Sequence, residues 1–317
     1  MSRDLDPREL DHDRPTPSRG SRGVSEPQDS PSFNDPRDSL IRDLDLPRGP
    51  GRERVRVRDR EYDLRGSEVR TLSTAGTFRV VVAADLRDQY RNGETQARDL
   101  THLRKLGLIR TAPYVVGGTR TTLITLTERG RSVLEHARRN RDNGDTRQTF
   151  HVGISKPREL AHDVRLYRAY VQSAERLIAG GAQVRRVVLE DELKRDYQRF
   201  LQASNRCRHE ASGRPNRQPQ EVEQWARERH LPYRDGHVEF PDVRIEYEDR
   251  DGRYSTEDVE VTTPHYRGSH AAAKASAGFT CYRSVGARVG GARLASGSGC
   301  RRARGPFDPR AAEELLQ

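Results

Sequence analysis

The stretch from Asn92 to Arg139 constrains the fold of this chain more than any other. Its apolar residues first recur at helical spacing and then end at a glycine, Gly107. Two runs rich in β-branched residues follow, separated by Gly117-Gly118, and a second amphipathic run begins at Thr127. The order predicted is a short helix, a hairpin and another helix.

The short helix in this stretch has one apolar stripe and one basic face. The stripe follows the spacing of one side of an α-helix and comprises Ala97, Leu100, Leu103 and Leu106. Thr95 is placed as the N-cap, and Gly107 suits a left-handed C-cap. The other face carries Arg98, Thr101, His102 and Lys105. We expect that face to point away from the core.

Three further elements are predicted upstream of the short helix. Glu68–Thr74 is predicted as a first helix, Phe78–Val82 as a strand and Ala83–Gln89 as a short helix. Together with the helix and hairpin that follow, this is the order of a winged helix-turn-helix domain, assigned to residues 61–139. Such a domain places one helix in the major groove of DNA. The residues expected to contact bases or phosphates are Thr95, Arg98, His102, Lys105, Arg110 and Arg120.

The charge balance agrees with double-stranded DNA as a partner. The chain has 58 Lys and Arg against 48 Asp and Glu, which gives a formal net charge of +10. The excess is almost wholly arginine, whose planar fork matches phosphate. No apolar run is long enough to span a membrane, and the N-terminus has no apolar signal core. We therefore expect a cytoplasmic protein with no membrane partner.

Composition divides the remaining residues. Only 32% of the chain is hydrophobic and 33% is charged, so part of it is expected not to fold. Residues 1–60 are predicted to be a disordered arm, 140–149 a linker and 283–317 a basic tail rich in Gly and Arg. The tail would follow a nucleic-acid backbone by charge alone. The three cysteines match no zinc pattern.

A second folded unit is predicted over residues 150–282, which makes the chain an α+β protein. Its first predicted elements are a helix, a strand and a charged helix, over Pro157–Ile178, Val184–Leu189 and Asp191–Leu201. The later ones are a helix, a hairpin turning at Asp251-Gly252 and a closing helix, over Pro219–Glu228, Val243–Tyr247 with Glu257–Thr263, and His270–Tyr282.

The hairpin of this unit resembles the core of the PD-(D/E)xK nucleases. Pro241-Asp242 precedes its first strand, and Glu260-Val261-Thr262 lies on its second. The resemblance implies that Asp242 and Glu260 hold a divalent metal such as Mg²⁺, which would activate water. A lysine is expected two residues after the second acid, but Thr262 stands there. Lys274, on the following helix, is the candidate replacement for that lysine.

The same resemblance implies a helper acid at the junction of strand and helix, where Glu190 and Glu192 are the two candidates. With either residue, the implied site would consist of carboxylates and one lysine. This is the ligand chemistry of a hard cation.

Five segments resemble the replication-relaxation family of plasmids and integrated mobile elements. They are LITLTERGRSVL, ELAHDVRLYRAY, VVLEDEL, PDVRIEYEDRDGRYSTEDVEV and KASAGFTCYR, within a resemblance that spans about Tyr62 to Tyr282. In that family a winged helix precedes a degenerate nuclease-like domain. The resemblance implies a DNA-binding accessory role in replication, mobilisation or plasmid maintenance, with no resident cofactor. Candidate partners beyond DNA are a replication or mobilisation protein and a second copy of the chain.

Two other function classes stay open at this stage. One is a metal-dependent DNA endonuclease that uses Asp242 and Glu260. The other is a winged-helix transcriptional regulator whose second domain dimerises or binds an effector. Relaxase chemistry is not expected, because the chain has no pair of histidines at metal-binding spacing, and Tyr167 and Tyr170 fit the core of a helix.

Overall fold

Helices and strands alternate along the chain in an α+β arrangement, as predicted. A computed structural model describes residues 35–86, 97–116, 119–139, 147–154, 156–203, 217–262 and 274–283. The predictions for Thr95, for residues 1–34, for linker residues 140–146 and for the tail from 284 onward lie outside these residues. In the described part of the chain, every helix is too short or too polar to cross a lipid bilayer.

The first half is built around a three-stranded antiparallel sheet. A short helix, α1 (Asp38–Ile41), and a hairpin of β1 (Glu53–Val57) and β2 (Arg60–Leu64) precede this sheet. The elements that follow are α2 (Gly66–Thr77), β3 (Val80–Val82), a 3-10 turn (Ala83–Asp85), α3 (Ala97–Lys105), β4 (Ile109–Val116), β5 (Thr119–Leu126) and α4 (Glu128–His136). Strand β5 lies between β3 and β4.

The ends of α3 and α4 follow the sequence signals. Gly107 adopts a left-handed conformation with φ of 70°, and the amide of Leu108 donates to the carbonyl of Leu103 at 3.0 Å. At the start of α4 the Thr127 hydroxyl accepts a hydrogen bond from the amide of Gly130 at 3.0 Å. A Cβ on Gly130 would lie 2.2 Å from the carbonyl oxygen of Leu108, so α4 can pack here only with glycine.

The second half is built around a four-stranded sheet. Its elements are a 3-10 turn (Pro157–Glu159), α5 (Leu160–Ala179), β6 (Gln183–Leu189), α6 (Glu190–Ala203), α7 (Pro219–Glu228), β7 (Tyr233–Arg234), β8 (His237–Val238), β9 (Val243–Glu248), β10 (Tyr254–Thr262) and β11 (Thr280–Arg283). The sheet order is β11-β10-β9-β6. Strand β11 runs parallel to β10, and the other neighbours are antiparallel.

The closing helix predicted over His270–Tyr282 is wrong at its C-terminal end. Residues 270–273 lie outside the described part of the chain, residues 274–276 are helical, and Gly278 follows with φ of 92°. Strand β11 then pairs with β10, with Cys281 opposite Glu260. Pairing with a formed strand satisfies the backbone groups of residues 280–283, and this non-local contact outweighs their local tendency.

The predicted disordered arm also extends too far, because its last 26 residues are part of the fold. Residues 35–60 contain α1 and β1, and Leu40, Ile41 and Leu44 are buried. The hydroxyl of Tyr170 on α5 donates to the carbonyl of Pro36 at 2.7 Å. Burial of these aliphatic side chains offsets the entropy lost on ordering a segment rich in charge.

One hydrophobic core serves both sheets. Phe78, at the end of α2, packs on Tyr170 of α5 with ring centroids 5.1 Å apart. The same cluster of buried residues includes Leu126 of β5 and Val243 of β9. Helix α5 therefore contacts both sheets and fixes where the residues of each stand.

Candidate functional site

Helix α3 is fixed to the rest of the protein through its buried side. Leu103 and Asp99 are fully buried. The carboxylate of Asp99 accepts hydrogen bonds from Ser67 Oγ at 2.6 Å and from Arg65 Nε at 2.9 Å, both at the start of α2. A buried carboxylate bound in this way holds its helix in one orientation, because moving it would expose an uncompensated charge.

The outward side of α3 is basic. Arg98, Arg104 and Lys105 are exposed, and we call these three residues the α3 basic face. None of the three forms a hydrogen bond or an ion pair with another described side chain. Arg98 and Lys105 were predicted for this position, and Arg104 was not, although its spacing from the buried Leu103 places it on the exposed side.

The hairpin beside α3 adds further positive charge. Arg110 on β4 and Arg120 on β5 are exposed, and within the described residues neither has an ion-pair partner. The two strands are antiparallel neighbours, with Arg120 opposite Val115, whose side chain is also exposed. The positions predicted for contact with a DNA backbone thus carry free positive charge on the surface.

His102 stands apart from the α3 basic face. Its ring is half-buried, and Nδ1 lies 2.8 Å from a carboxylate oxygen of Glu68 on α2. The guanidinium of Arg52 lies 2.6 Å from the same ring nitrogen and 2.7 Å from Glu68. His102 turns towards α2, and its ring is engaged inside the protein rather than presented with Arg98 and Lys105.

The two acidic residues predicted from the nuclease resemblance are neighbours in space. Val243, the first residue of β9, pairs with Val259 of β10, which places Asp242, just before β9, opposite Glu260 on β10. We call Asp242 and Glu260 the acid pair. Both are buried, with 9% and 3% of their surface exposed. One oxygen of Asp242 accepts a hydrogen bond from the amide of Val261 at 2.7 Å.

A histidine that the sequence did not indicate contacts the acid pair. His162 of α5 places Nε2 3.1 Å from Asp242 and Nδ1 3.5 Å from Asp163. Burial lowers the pKa of His162, but the hydrogen bonds and charges of Asp163 and Asp242 outweigh burial and raise the pKa to about 10. His162 is one of several polar residues on a helix, and no sequence spacing relates it to Asp242, so only the fold reveals the contact.

Lys274, the candidate replacement lysine, lies next to the second acid. Lys274 Nζ is 3.6 Å from Glu260 and 3.3 Å from Glu239, and it donates to the carbonyl of Phe240 at 2.6 Å. Its side chain is largely buried at 14% exposure. Lys274 is thus held by three oxygen atoms, one of which belongs to the acid pair.

The helper acids suggested by the sequence have other partners. Glu192 forms an ion pair with Arg186 of β6, and Glu190 pairs with Lys194 one turn later, at 2.6 Å. Glu190 contacts Asp242 through its backbone amide, which donates to the Asp242 carbonyl at 3.2 Å. No carboxylate side chain from the start of α6 joins Asp242 and Glu260 in these contacts.

The side chains around the acid pair do not fit a divalent metal. Asp242 already has a basic side chain against it, His162, which a nuclease core does not require, whereas Lys274 beside Glu260 is compatible with such a core. Among the described residues, no group of three or more His, Cys, Asp and Glu side chains is arranged to hold a metal ion. A divalent cation bound to Asp242 would have to displace His162, because a positive imidazole in contact with the same carboxylate would repel it.

Charged residues continue from His162 towards the three-stranded sheet. Asp163 lies 3.8 Å from Arg79, which follows α2 and also pairs with Asp191 of α6. Lys156 reaches Asp191 at 3.1 Å. Burial raises the pKa of Asp191, but the charges of Arg79 and Lys156 outweigh it, and its pKa lies below the ordinary value.

A second histidine near these residues, His151, has a lowered pKa, in contrast to His162. Burial lowers the pKa of His151 to about 4, and the positive charges of Arg79 and Arg195 act in the same direction. The amide of His151 donates to the carbonyl of Gly76 at 2.7 Å, which ties this residue to α2. His151 and His162 therefore differ in charge at neutral pH.

The two tyrosines considered for relaxase chemistry are core residues, as predicted. Tyr167 and Tyr170 are buried on α5, with ring centroids 6.5 Å apart. Burial raises the pKa of both phenols above the ordinary value, which opposes their use as nucleophiles.

Comparison of the chain with protein-family models, with curated proteins and with solved structures gave no match.

Proposed function

We propose that this protein binds duplex DNA through a winged helix formed by residues 61–139. In support, α2, β3, the 3-10 turn, α3, β4 and β5 follow one another in the order of that module. The observation that carries the proposal is the α3 basic face, whose three cations are exposed and without ion-pair partners among the described side chains. Unpaired charge of this kind lowers the free energy of binding when it meets phosphate and releases counterions.

In this proposal α3 enters the major groove and the β4–β5 hairpin contacts the adjacent backbone. Arg98 can read guanine through its two parallel donors, whereas Lys105 acts mainly as a point charge on phosphate. Arg110 and Arg120 are exposed on the hairpin and support the second contact. The partner is therefore double-stranded DNA, and the accessory role in plasmid replication or mobilisation rests on the family resemblance alone.

The domain around the four-stranded sheet is proposed as a nuclease-like scaffold without catalytic activity. The acid pair on adjacent strands and the nearby Lys274 are the features of a nuclease core that favour this relationship. The contact between Asp242 and His162 argues against catalysis, because it places a cationic side chain at the first acid. The competing proposal is a metal-dependent endonuclease that uses Asp242 and Glu260.

The DNA-binding proposal is tested by fluorescence anisotropy with a labelled mixed-sequence duplex. Replacing Arg98 and Lys105 together by Ala should weaken affinity by roughly tenfold or more, since each contact of this type contributes on the order of 1 kcal/mol or more. The matched control is Arg250→Ala with Arg253→Ala, two exposed arginines in the turn between β9 and β10. Equal affinities for the Arg98/Lys105 variant and the wild type would remove α3 as the reading helix.

A plasmid assay separates the scaffold from the nuclease. Supercoiled DNA is incubated with the protein and Mg²⁺ or Mn²⁺, and wild type is compared with Asp242→Ala. We expect a mobility shift without nicking in both proteins. Nicking by the wild type that disappears in Asp242→Ala would instead establish the endonuclease.

A further inference from the structure

The acid pair is surrounded by the protein's own cations in a way that suggests a structural use. His162 comes from α5, and Lys274 comes from the helical turn before β11. The two cations belong to different elements, yet each lies within 4 Å of one member of the acid pair. A divalent ion bound by both acids would therefore have to displace His162 from Asp242, a buried carboxylate.

The ring of His162 lies between two carboxylates. Nε2 faces Asp242 at 3.1 Å and Nδ1 faces Asp163 at 3.5 Å, and both partners are carboxylates. The shorter contact joins α5 to Asp242, whereas Asp163 Oδ1 accepts no hydrogen bond from the described residues.

The contacts of His162 lead beyond the four-stranded sheet. Asp163 also faces Arg79, which has a left-handed backbone with φ of 64° between α2 and β3. Arg79 is 6% exposed and pairs with Asp191 at the start of α6. An alternating series of charges thus runs from the residue before β9, through α5 and the turn between α2 and β3 (the Arg79 turn), to the start of α6. Its order is Asp242, His162, Asp163, Arg79 and Asp191.

We propose that Asp242 and Glu260 bind His162 and Lys274 in place of a divalent metal, and that the Asp242–His162 pair locks the four-stranded sheet to α5 and the Arg79 turn. This inference rests on the proposal that the second domain is a scaffold. It assigns a structural purpose to the two acids that define a nuclease core.

The first test measures metal binding directly. Mn²⁺ is titrated into the full-length wild-type protein, and the free ion is followed by electron paramagnetic resonance. The free Mn²⁺ signal should equal that of buffer alone up to about 1 mM, the weak end of protein cation sites. Saturable binding that Asp242→Asn abolishes would overturn the proposal, even if both proteins bind DNA equally well.

The second test measures the lock by a double-mutant cycle in urea unfolding. Asp242→Asn and His162→Gln should each raise the unfolding equilibrium constant by roughly tenfold or more, and the double variant should cost much less than the two effects together. Fully additive effects would overturn the lock. Because neither residue belongs to the α3 basic face, an unchanged DNA affinity of the Arg98/Lys105 variant would refute DNA reading by α3 without affecting this cycle.

The chain offers a matched control for the cycle. Arg176 of α5 pairs with Glu257 of β10, so this pair also joins α5 to the four-stranded sheet. Arg176 is 55% exposed, and solvent screens its interaction. The cycle of Arg176→Gln and Glu257→Gln should show coupling near zero, and equal coupling in the two cycles would overturn the special role of Asp242 and His162.

Discussion

Ser67 and Asp99 join α2 to α3 through a hydrogen bond of 2.6 Å between their side chains. The carboxylate of Asp99 is completely buried, and Arg65 shares it. Ser67 lies in the first turn of α2, so the angle between α2 and α3 depends on this carboxylate. The direction in which the α3 basic face points is thus set by a residue on the opposite side of the helix.

Replacing Asp99 by Ala should destabilise the protein by about 3 kcal/mol or more, because Arg65 would remain partly buried without its counter-ion. Urea unfolding followed by circular dichroism measures this change. The control is Asp196→Ala, which breaks the exposed pair with Arg199 on α6 and should cost about 1 kcal/mol or less. A loss for Asp99→Ala no larger than that of the control would contradict the anchoring role.

Ile41 tests whether the segment before β1 belongs to the core. Ile41→Ala should lower the free energy of unfolding by about 2–5 kcal/mol, the range for buried aliphatic truncations. The control is Ile154→Ala, because Ile154 is 38% exposed and loses fewer contacts. A chain in which residues 35–46 were an unstructured arm would show no difference between the two variants in urea.

Loss of the His162 proton should make the protein less stable at alkaline pH. Its folded-state pKa of about 10 exceeds the ordinary value of 6.5, so its contribution is complete below about pH 6.5. That contribution is lost as the pH rises towards 10. Stability measured by urea unfolding should fall across this interval more steeply for the wild type than for His162→Gln. Parallel curves for the two proteins would show that the imidazolium does not stabilise the fold.

Protonation of His151 should make the protein less stable at acid pH. Its folded-state pKa of about 4 lies below 6.5, so protons bind the unfolded chain more readily and stability falls as the pH drops from 6.5 to 4. The variant His151→Gln should flatten this part of the profile and leave the alkaline part unchanged. If the slope of stability against pH between 4 and 6.5 is the same in both proteins, a group other than His151 titrates there.

The hairpin arginines should appear in the salt dependence of DNA binding. If Arg110 and Arg120 each contact a phosphate, replacing both by Ala should reduce the slope of log affinity against log salt by about 1.8. Anisotropy titrations at several salt concentrations give this slope, with the Arg250/Arg253 variant as the comparison. A slope equal to that of the wild type would mean that the hairpin does not touch the backbone.

Local signals allowed much of the first half to be predicted. Gly107 and Thr127 mark where α3 ends and α4 begins, and both signals depend only on neighbouring residues. In the second half, the start of α7 at Pro219 was predicted for the same reason. By contrast, β11 exists because β10 is already there to pair with it, and no property of residues 280–283 alone specifies that partner.

In the candidate site, too, some contacts could be predicted from local sequence and others depend on non-local packing. The acid pair could be predicted because its two residues lie on consecutive strands of one hairpin. His162 could not, because 80 positions separate it from Asp242 and α5 brings them together through packing on both sheets. His102 was grouped with Arg98 because they share a helical face, whereas the contact with Glu68 depends on how α2 and α3 cross.

The contact between Phe78 and Tyr170 has a consequence for how the protein responds to a ligand. Both rings belong to one continuous core, so the two sheets should melt in a single cooperative transition. A ligand that binds only the folded protein at α3 would then slow amide exchange in β9 and β10 as well, wherever exchange requires global opening. Communication between distant surfaces would need no hinge, because the described residues of both sheets share one core.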